Sequence, residues 1–342
     1  MVDPMGVSIG LNRWDWRTPQ TFAESVRHGE SVGISHAFTP VNPLSIWDPY
    51  VLMAAGVMNT TTMRFGPLLE TPVLRSPAVA AGSIASIAEL SDGRAMLTYG
   101  IGDTAVRWLG KRPARIAELE LATIETRALL AGERLDVGAD ELAFLRHARP
   151  VPVWLACGGP KSLRMAGRVA DGVFLRVGTN PANLRAAVNA VRSGAVEAGR
   201  EPSEVSIGVI VHTVTSQDPA EIKSITRAMA AGFYEYSPAL FEQAGFAWNG
   251  TPIEELKEQL WPDFHHAKDL VAAGSLVDFL DDEVAASFSF FGSSQDVIDQ
   301  ITDLLAEVPG VDILVPHPVP MPVRDQMADY VNWLGHDILP AI

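Results

Sequence analysis

Pro150-Val-Pro-Val-Trp-Leu-Ala-Cys-Gly-Gly-Pro-Lys-Ser-Leu-Arg-Met-Ala-Gly-Arg-Val-Ala-Asp-Gly-Val-Phe-Leu-Arg176 reads as a buried strand, a glycine turn, a short amphipathic helix and a second buried strand. Val153 to Cys157 is a short apolar run bounded by Pro and Gly, the form of a parallel strand covered on both faces. Ser162 is in place to cap the helix, which carries Leu163, Ala166, Gly167 and Ala170 on one face. A glycine turn opening onto a helix N-terminus presents backbone N–H groups and the positive end of the helix dipole, a seat for phosphate or another anion. The same residues also make an ordinary tight βα turn with no ligand.

The alternation continues outward on both sides. Val7 to Leu11, His36 to Thr39, Thr62 to Leu69 and Ala95 to Tyr99 read as strands. Helices are expected between and after them, over about Pro19 to Val32, Asp48 to Met58, Pro77 to Leu90 and Pro113 to Leu130. Beyond Arg176 come a helix over Pro181 to Ala198, a strand over Val205 to Val214 and a helix over Gln295 to Leu305. A strand over Val311 to Val315 and a helix over Pro322 to Leu339 close the chain. Eight βα units without hairpin signals predict an α/β protein, a single (β/α)8 TIM barrel over residues 1–342. Gly132 to Arg149 reads as a loop insertion before the fifth strand. Asp218 to Ala286 reads as a helical excursion over the catalytic face, with pieces around Lys223 to Tyr236, Ile253 to Lys257 and Phe264 to Ala273.

Composition narrows the function classes. With 342 residues, 47% of them hydrophobic and 20% charged, the chain can bury a large core and does not read as disordered. The net charge of −15 argues against nucleic-acid or anionic-membrane partners, but not against a small anion held by local donors. No window approaches the roughly 18 uninterrupted apolar residues of a membrane span, and Met1 to Leu11 lacks a signal-peptide pattern. Cys157 is the only cysteine, which excludes an internal disulfide and fits a cytoplasmic location.

Barrel enzymes place their chemistry at the C-terminal ends of the strands. Those ends are Pro40-Val-Asn-Pro43, Pro67-Leu-Leu-Glu-Thr71, Gly100-Ile-Gly-Asp103, Ala156-Cys-Gly-Gly159, Arg176-Val-Gly-Thr179 and His212-Thr213. Glu70 and Asp103 lie on neighbouring strand ends and are candidates to share a pocket, or else serve as a cap or a loop salt bridge. Gly100-Ile-Gly-Asp-Thr-Ala105 fits a dinucleotide pattern only formally, because it follows a fourth strand and not the first of a βαβ unit. His265-His266 points apart on an expected helix with no further ligand nearby, so no metal is expected. His317 is a candidate for the pocket lining or for a structural role. Cys157 has no identifiable His or Asn partner and reads as a packing residue.

Pro152-Val-Trp-Leu-Ala-Cys-Gly-Gly-Pro-Lys-Ser162 with Ala166-Gly-Arg-Val-Ala-Asp-Gly172 resembles the corresponding segment of the bacterial luciferase-like superfamily. Phe65-Gly-Pro-Leu-Leu-Glu-Thr-Pro72, Arg75-Ser-Pro-Ala-Val-Ala-Ala81, Leu90-Ser-Asp-Gly-Arg-Ala95 and Gly100-Ile-Gly-Asp103 agree in order and spacing. The branch most similar is the one that uses the deazaflavin coenzyme F-420; other members of the superfamily use FMN.

The resemblance implies a homodimer packed through barrel helices and a coenzyme held at the strand ends. It implies a non-proline cis peptide at Leu68-Leu69 behind the ring, and a phosphate seat on Cys157, Gly158 and Gly159. Gly102, Arg176, Val177, Gly178 and Thr179 complete the implied coenzyme set, with Lys161 or Arg164 near the acidic tail. Departures from the family pattern are Val41 and Asn42 in place of an Asp-His pair, Asp103 in place of a glutamate, and Thr179 in place of a sugar-phosphate-binding lysine. Glucose 6-phosphate is therefore not the expected substrate. The expected activity is hydride transfer between the deazaflavin and a small organic substrate. Asn42 would hydrogen-bond ring or substrate, Glu70 or Asp103 would carry the proton, and Trp47 and Trp108 would wall the pocket. The alternatives are an FMN-dependent monooxygenase and a coenzyme-binding relative without turnover.

Overall fold

The computed structural model describes residues 6–320 and 326–342. Its parallel strands are β1 (Ser8–Leu11), β2 (His36–Thr39), β3 (Arg64–Pro67), β4 (Leu97–Tyr99), β5 (Val153–Cys157), β6 (Gly172–Leu175), β7 (Ser206–Val214), β8 (Ser289–Phe290) and β9 (Val311–Val319). Eight of them are ordered β3-β2-β1-β9-β7-β6-β5-β4, and the short β8 pairs with β7 off this path. The bridges Phe65↔Ala95 and Glu70↔Tyr99 link β3 back to β4 and bring the sheet round into an eight-stranded parallel barrel. The expected TIM-like fold is the observed one.

The barrel interior follows from strand alternation. Phe38, Leu68, Met96, Trp154, Phe174, Ile210, Ile313 and Val315 form a cluster of their own inside the barrel. Their sequence neighbours, such as Ala37, Val153, Leu155, Val173 and Leu175, join the outer cluster under the helices. The large rings fit because glycines face them. A Cβ on Gly172 would lie 2.3 Å from the Trp154 ring, and one on Gly208 would lie 2.5 Å from Phe174.

The helices are α1 (Pro19–Ser31), α2 (Pro49–Val57), α3 (Pro77–Leu90), α4 (Thr104–Trp108), α5 (Ile116–Leu130), α6 (Pro160–Val169) and α7 (Pro181–Glu197). After β7 come α8 (Pro219–Tyr236), α9 (Ala239–Ala244), α10 (Ile253–Lys257), α11 (Leu270–Ser275) and α12 (Asp282–Ala286). After β8 come α13 (Ser294–Glu307) and α14 (Met327–Trp333). Proline at the first helical position fixes several starts, and the residue before it caps the helix: Thr18, Asp48, Asn180 and Asp218 each accept a hydrogen bond from the first turn.

The Ser91-Asp-Gly-Arg94 turn acts as a structural clamp. Arg94 donates from Nε to the Ser91 carbonyl, from Nη1 to the Met63 carbonyl and Thr60 hydroxyl, and from Nη2 to the Val57 and Thr60 carbonyls. It thereby ties the ends of α2 and α3 to the start of β3.

Four expectations are corrected. Ser162 does not cap α6: Gly159 is the cap residue, and Ser162 Oγ donates to its carbonyl at 2.8 Å. The helical piece expected from Phe264 starts only at Leu270: Phe264 to His266 are a turn and 267–269 are irregular. The last strand runs to Val319 through Pro316 and Pro318. Its pairing with β1 stops at Leu314 while that with β7 continues, so one edge needs no N–H donors. The two-residue β8 pairs with β7 at His212 and Thr213 and is too short for any periodicity to show. The expected start of the last helix at Pro322 lies outside the described residues.

Candidate active site

The C-terminal mouth of the barrel opens into a cavity of about 830 Å³. Its floor and one wall come from strand ends: Arg13 and Trp16 after β1, Val41 and Asn42 after β2, Leu68 and Leu69 after β3, Gly102 and Asp103 after β4. Gly158, Gly159 and Ser162 form the wall after β5, and Arg176 the wall after β6. Phe233, Tyr236, Leu240, His265, His266 and Lys268 descend from the excursion as a roof, and His317 closes the ring from β9.

The β5–α6 turn opens an uncapped helix N-terminus onto the cavity. Gly158 is required there because a Cβ would lie 2.5 Å from the Arg176 carbonyl oxygen, so only glycine lets the ends of β5 and β6 approach this closely. No side chain caps α6, Pro160 has no N–H to satisfy, and Gly158, Gly159 and Ser162 line the cavity. Arg176 stands beside this turn with its guanidinium 5.7 Å from the Tyr236 ring. Cys157 also lines the cavity, but burial pushes its thiol up to about 12, which keeps it protonated and unreactive.

The Leu68–Leu69 peptide is cis, and both residues line the cavity. Asn42 lines it as well; its Oδ1 accepts from the Leu44 N–H at 3.3 Å, which leaves the amide nitrogen to donate elsewhere. Asp103 faces in and is paired with Arg107, and Trp108 supplies an apolar wall.

Several expected site residues are elsewhere. Glu70 is fully buried behind the wall. Thr71 N–H donates to it at 3.0 Å, Tyr50 OH donates at 3.4 Å, and Arg75 pairs with it at 3.4 Å. Burial pushes its carboxyl up, against the pull of these partners. Glu70 and Asp103 therefore do not share the pocket. Trp47 is 53% exposed outside it, with its indole N–H donating to the Arg17 carbonyl. Val177, Gly178 and Thr179 are covered by the α12–β8 connection: Thr179 N–H donates to the Ser287 carbonyl at 3.0 Å, and Gly178 packs on Phe288. Arg164 is taken by Glu197, and Lys161 does not line the cavity.

Sequence reasoning passed over Arg13, Trp16, Tyr236 and the clustering of the histidines. His212 and His265 pack at 4.5 Å between ring centroids, and His212 and His317 at 5.3 Å. Burial pushes His265 down to about 3, and His212 and His317 well below the ordinary value, so all three are neutral. His266 Nδ1 is hydrogen-bonded to Asp263 at 2.8 Å. No group of His, Cys, Asp and Glu among the described residues is arranged to hold a metal ion.

A parallel barrel with an uncapped helix N-terminus after the fifth strand, an apolar wall after the third and a roofed cavity between them is a TIM-like barrel with its pocket at the C-terminal mouth. The chain belongs to the luciferase-like monooxygenase family, whose model matches residues 5–312. It is 32% identical over 202 residues to a 5,10-methylenetetrahydromethanopterin reductase of Methanolobus tindarius; that match spans 56% of this chain and 60% of the relative. It is 28% identical over 274 residues to an F-420-dependent hydroxymycolic acid dehydrogenase of Mycobacterium tuberculosis, covering 73% and 74% of the two chains. In fold it resembles the coenzyme F-420-dependent tetrahydromethanopterin reductase of Methanopyrus kandleri, with a TM-score of 0.74 at 21% identity over 98% of this chain and 99% of the other. It also resembles the oxygenating constituent of the 3,6-diketocamphane monooxygenase of Pseudomonas putida, solved with FMN, at a TM-score of 0.60, 18% identity and 98% coverage of both. Relatives thus use F-420 or FMN.

Proposed function

We propose that the protein is an F-420-dependent oxidoreductase acting on a small organic substrate. The observation that carries the proposal is the uncapped N-terminus of α6, walled by Gly158 and Gly159 and flanked by Arg176, opening into a cavity large enough for a tricyclic ring. The residues fit the coenzyme: backbone N–H groups and one guanidinium for the phosphate, and Leu68 and Leu69 as the apolar backing for the ring. Support for F-420 over FMN comes from the relatives at 28–32% identity, one of which is named as F-420-dependent.

When bound, the deazaflavin supplies hydride exchange at its ring carbon C5. The chain's own residues bind, orient and exclude water. Asn42 donates from its amide nitrogen to ring or substrate, and Trp16, Trp108 and Phe233 hold an apolar substrate face. Asp103, fixed by Arg107, is the carboxylate in place to give or take the substrate proton. The test is titration of the apoprotein with F-420 and with FMN separately, followed by ring absorbance. Binding of F-420 about ten-fold or more tighter than FMN is expected. Tight FMN binding with oxygen consumption and no F-420 binding would replace this reading with a monooxygenase.

A further inference from the structure

Arg13 is a half-buried cation without a paired anion among the described residues. Its Nη2 donates to His317 Nε2 at 3.3 Å, its guanidinium lies 5.5 Å from the Trp16 ring centroid, and its Nε is buried with no hydrogen-bond partner. No carboxylate pairs with it among the described residues. Burial pulls its ionisation down to about 10, still far above neutrality, so the charge stays on. A partly desolvated guanidinium with a buried, unused Nε–H is costly unless an anion arrives to pair with its charge.

The arrangement around Arg13 is built. Asn12 Oδ1 can only accept, so the 2.7 Å contact with His317 Nδ1 fixes the proton on that nitrogen. His317 Nε2 is then a lone-pair acceptor that draws Nη2 toward β9, and Nη1, for which the described residues supply no hydrogen-bond partner, remains for a ligand in the cavity that Arg13 lines. The cavity is locally cationic in a chain of net charge −15: Arg13, Arg176 and Lys268 line it against one carboxylate, Asp103, which Arg107 already pairs. In the barrel order, β1 lies opposite β5, so Arg13 stands across the mouth from the Gly158-Gly159 turn and is not part of that proposed phosphate seat.

We infer that Arg13, oriented by the Asn12–His317 pair, is the recognition residue for a carboxylate on the substrate, which would accept from its terminal guanidinium nitrogens. The inference rests on the proposed function only in taking this cavity as the substrate's place. The substrate class is therefore a small organic acid.

The experiment titrates benzoate and its neutral isostere benzamide into the full-length protein by calorimetry, with and without F-420. Benzoate is expected to bind the wild type about ten-fold tighter than benzamide. Arg13→Met should erase that preference while leaving F-420 affinity within about three-fold, and Arg13→Lys should keep part of it. Equal binding of the two probes to the wild type, no binding of benzoate, or a preference that survives Arg13→Met would overturn the inference. So would a loss of F-420 affinity of about ten-fold in Arg13→Met, because Arg13 would then serve an anionic oxygen of the coenzyme. If Arg13→Met does not fold, Arg13→Gln and the wild-type preference decide. A benzoate preference without binding of F-420 would sink the proposed function and leave this inference standing.

Discussion

His212 and His265 lie ring against ring, 4.5 Å between centroids, and neither has a partner for its Nδ1. His265 Nε2–H donates to the Met229 carbonyl at 3.0 Å, which leaves Nδ1 as a bare acceptor. Protonating either ring would put a cation beside the other at a largely dry site.

Acid is therefore expected to destabilise the fold before the carboxylates titrate. His265 has its pKa lowered from 6.5 to about 3, and His36 from 6.5 to about 4, each by burial first. Between the unfolded and folded values the unfolded chain binds the proton and the folded chain does not, so stability present above pH 6.5 is lost as the pH falls below it. The slope is up to about 1.4 kcal/mol per pH unit for each such histidine. Burial raises Glu70 and Glu235, and these act in the opposite direction. The diagnostic quantity is therefore the difference between the wild type and His265→Gln in urea unfolding from about pH 7 to about pH 5. Identical pH slopes for the two proteins would refute the account.

The two candidate carboxylates should separate by assay. Glu70→Gln keeps an acceptor for the Thr71 N–H, and Arg75 keeps Asp48, so the change should cost about 1–2 kcal/mol of stability and leave coenzyme affinity alone. Asp103→Asn should leave the melting temperature nearly unchanged and lower turnover of a carboxylate substrate by about 10² or more. The reverse pattern would move the proton to Glu70.

Neighbouring glycines give a sharp contrast. An alanine Cβ at Gly158 would meet the Arg176 carbonyl oxygen at 2.5 Å, whereas at Gly159 its nearest neighbour is Ser162 Oγ at 3.7 Å. Gly158→Ala should lose about 1–3 kcal/mol and weaken F-420 binding by about ten-fold; Gly159→Ala should fold normally. Thermal melts and fluorescence titrations of both variants check this. Equal tolerance at the two positions would mean that β5 and β6 do not approach as described.

Arg94→Met should behave as a stability mutant only. It strands the Ser91, Met63, Val57 and Thr60 carbonyls that the guanidinium now satisfies, at a cost of about 3 kcal/mol or more. Coenzyme affinity measured well below the melting temperature should match the wild type.

The fold was legible because its signals are local. The His36–Thr39 and Val153–Cys157 strands and the Pro77–Leu90 helix fall where apolar runs, cap residues and proline place them. The β8 strand was not legible, since two residues carry no period, and the resemblance that implied a coenzyme role for Val177 to Thr179 did not show the α12–β8 connection packed against them. In the site, Asn42, Asp103 and Trp108 line the cavity as strand-end position suggested, while Glu70 and Trp47 do not. Strand-end position names a neighbourhood; which way a side chain faces depends on the local turn of the backbone.

The sequence by itself determined the barrel, the order of its units and the glycine turn at Gly158-Gly159, because hydrophobic period, helix caps and glycine positions act over a few residues. Only the tertiary structure decided that Arg13 meets His317, 304 positions away, and that Glu70 is closed off among Tyr50, Thr71 and Arg75. Those outcomes depend on which strands become neighbours when the sheet closes, and on how the excursion packs over the mouth. Burial and unpaired charge arise from that closure, and no stretch of chain carries them alone.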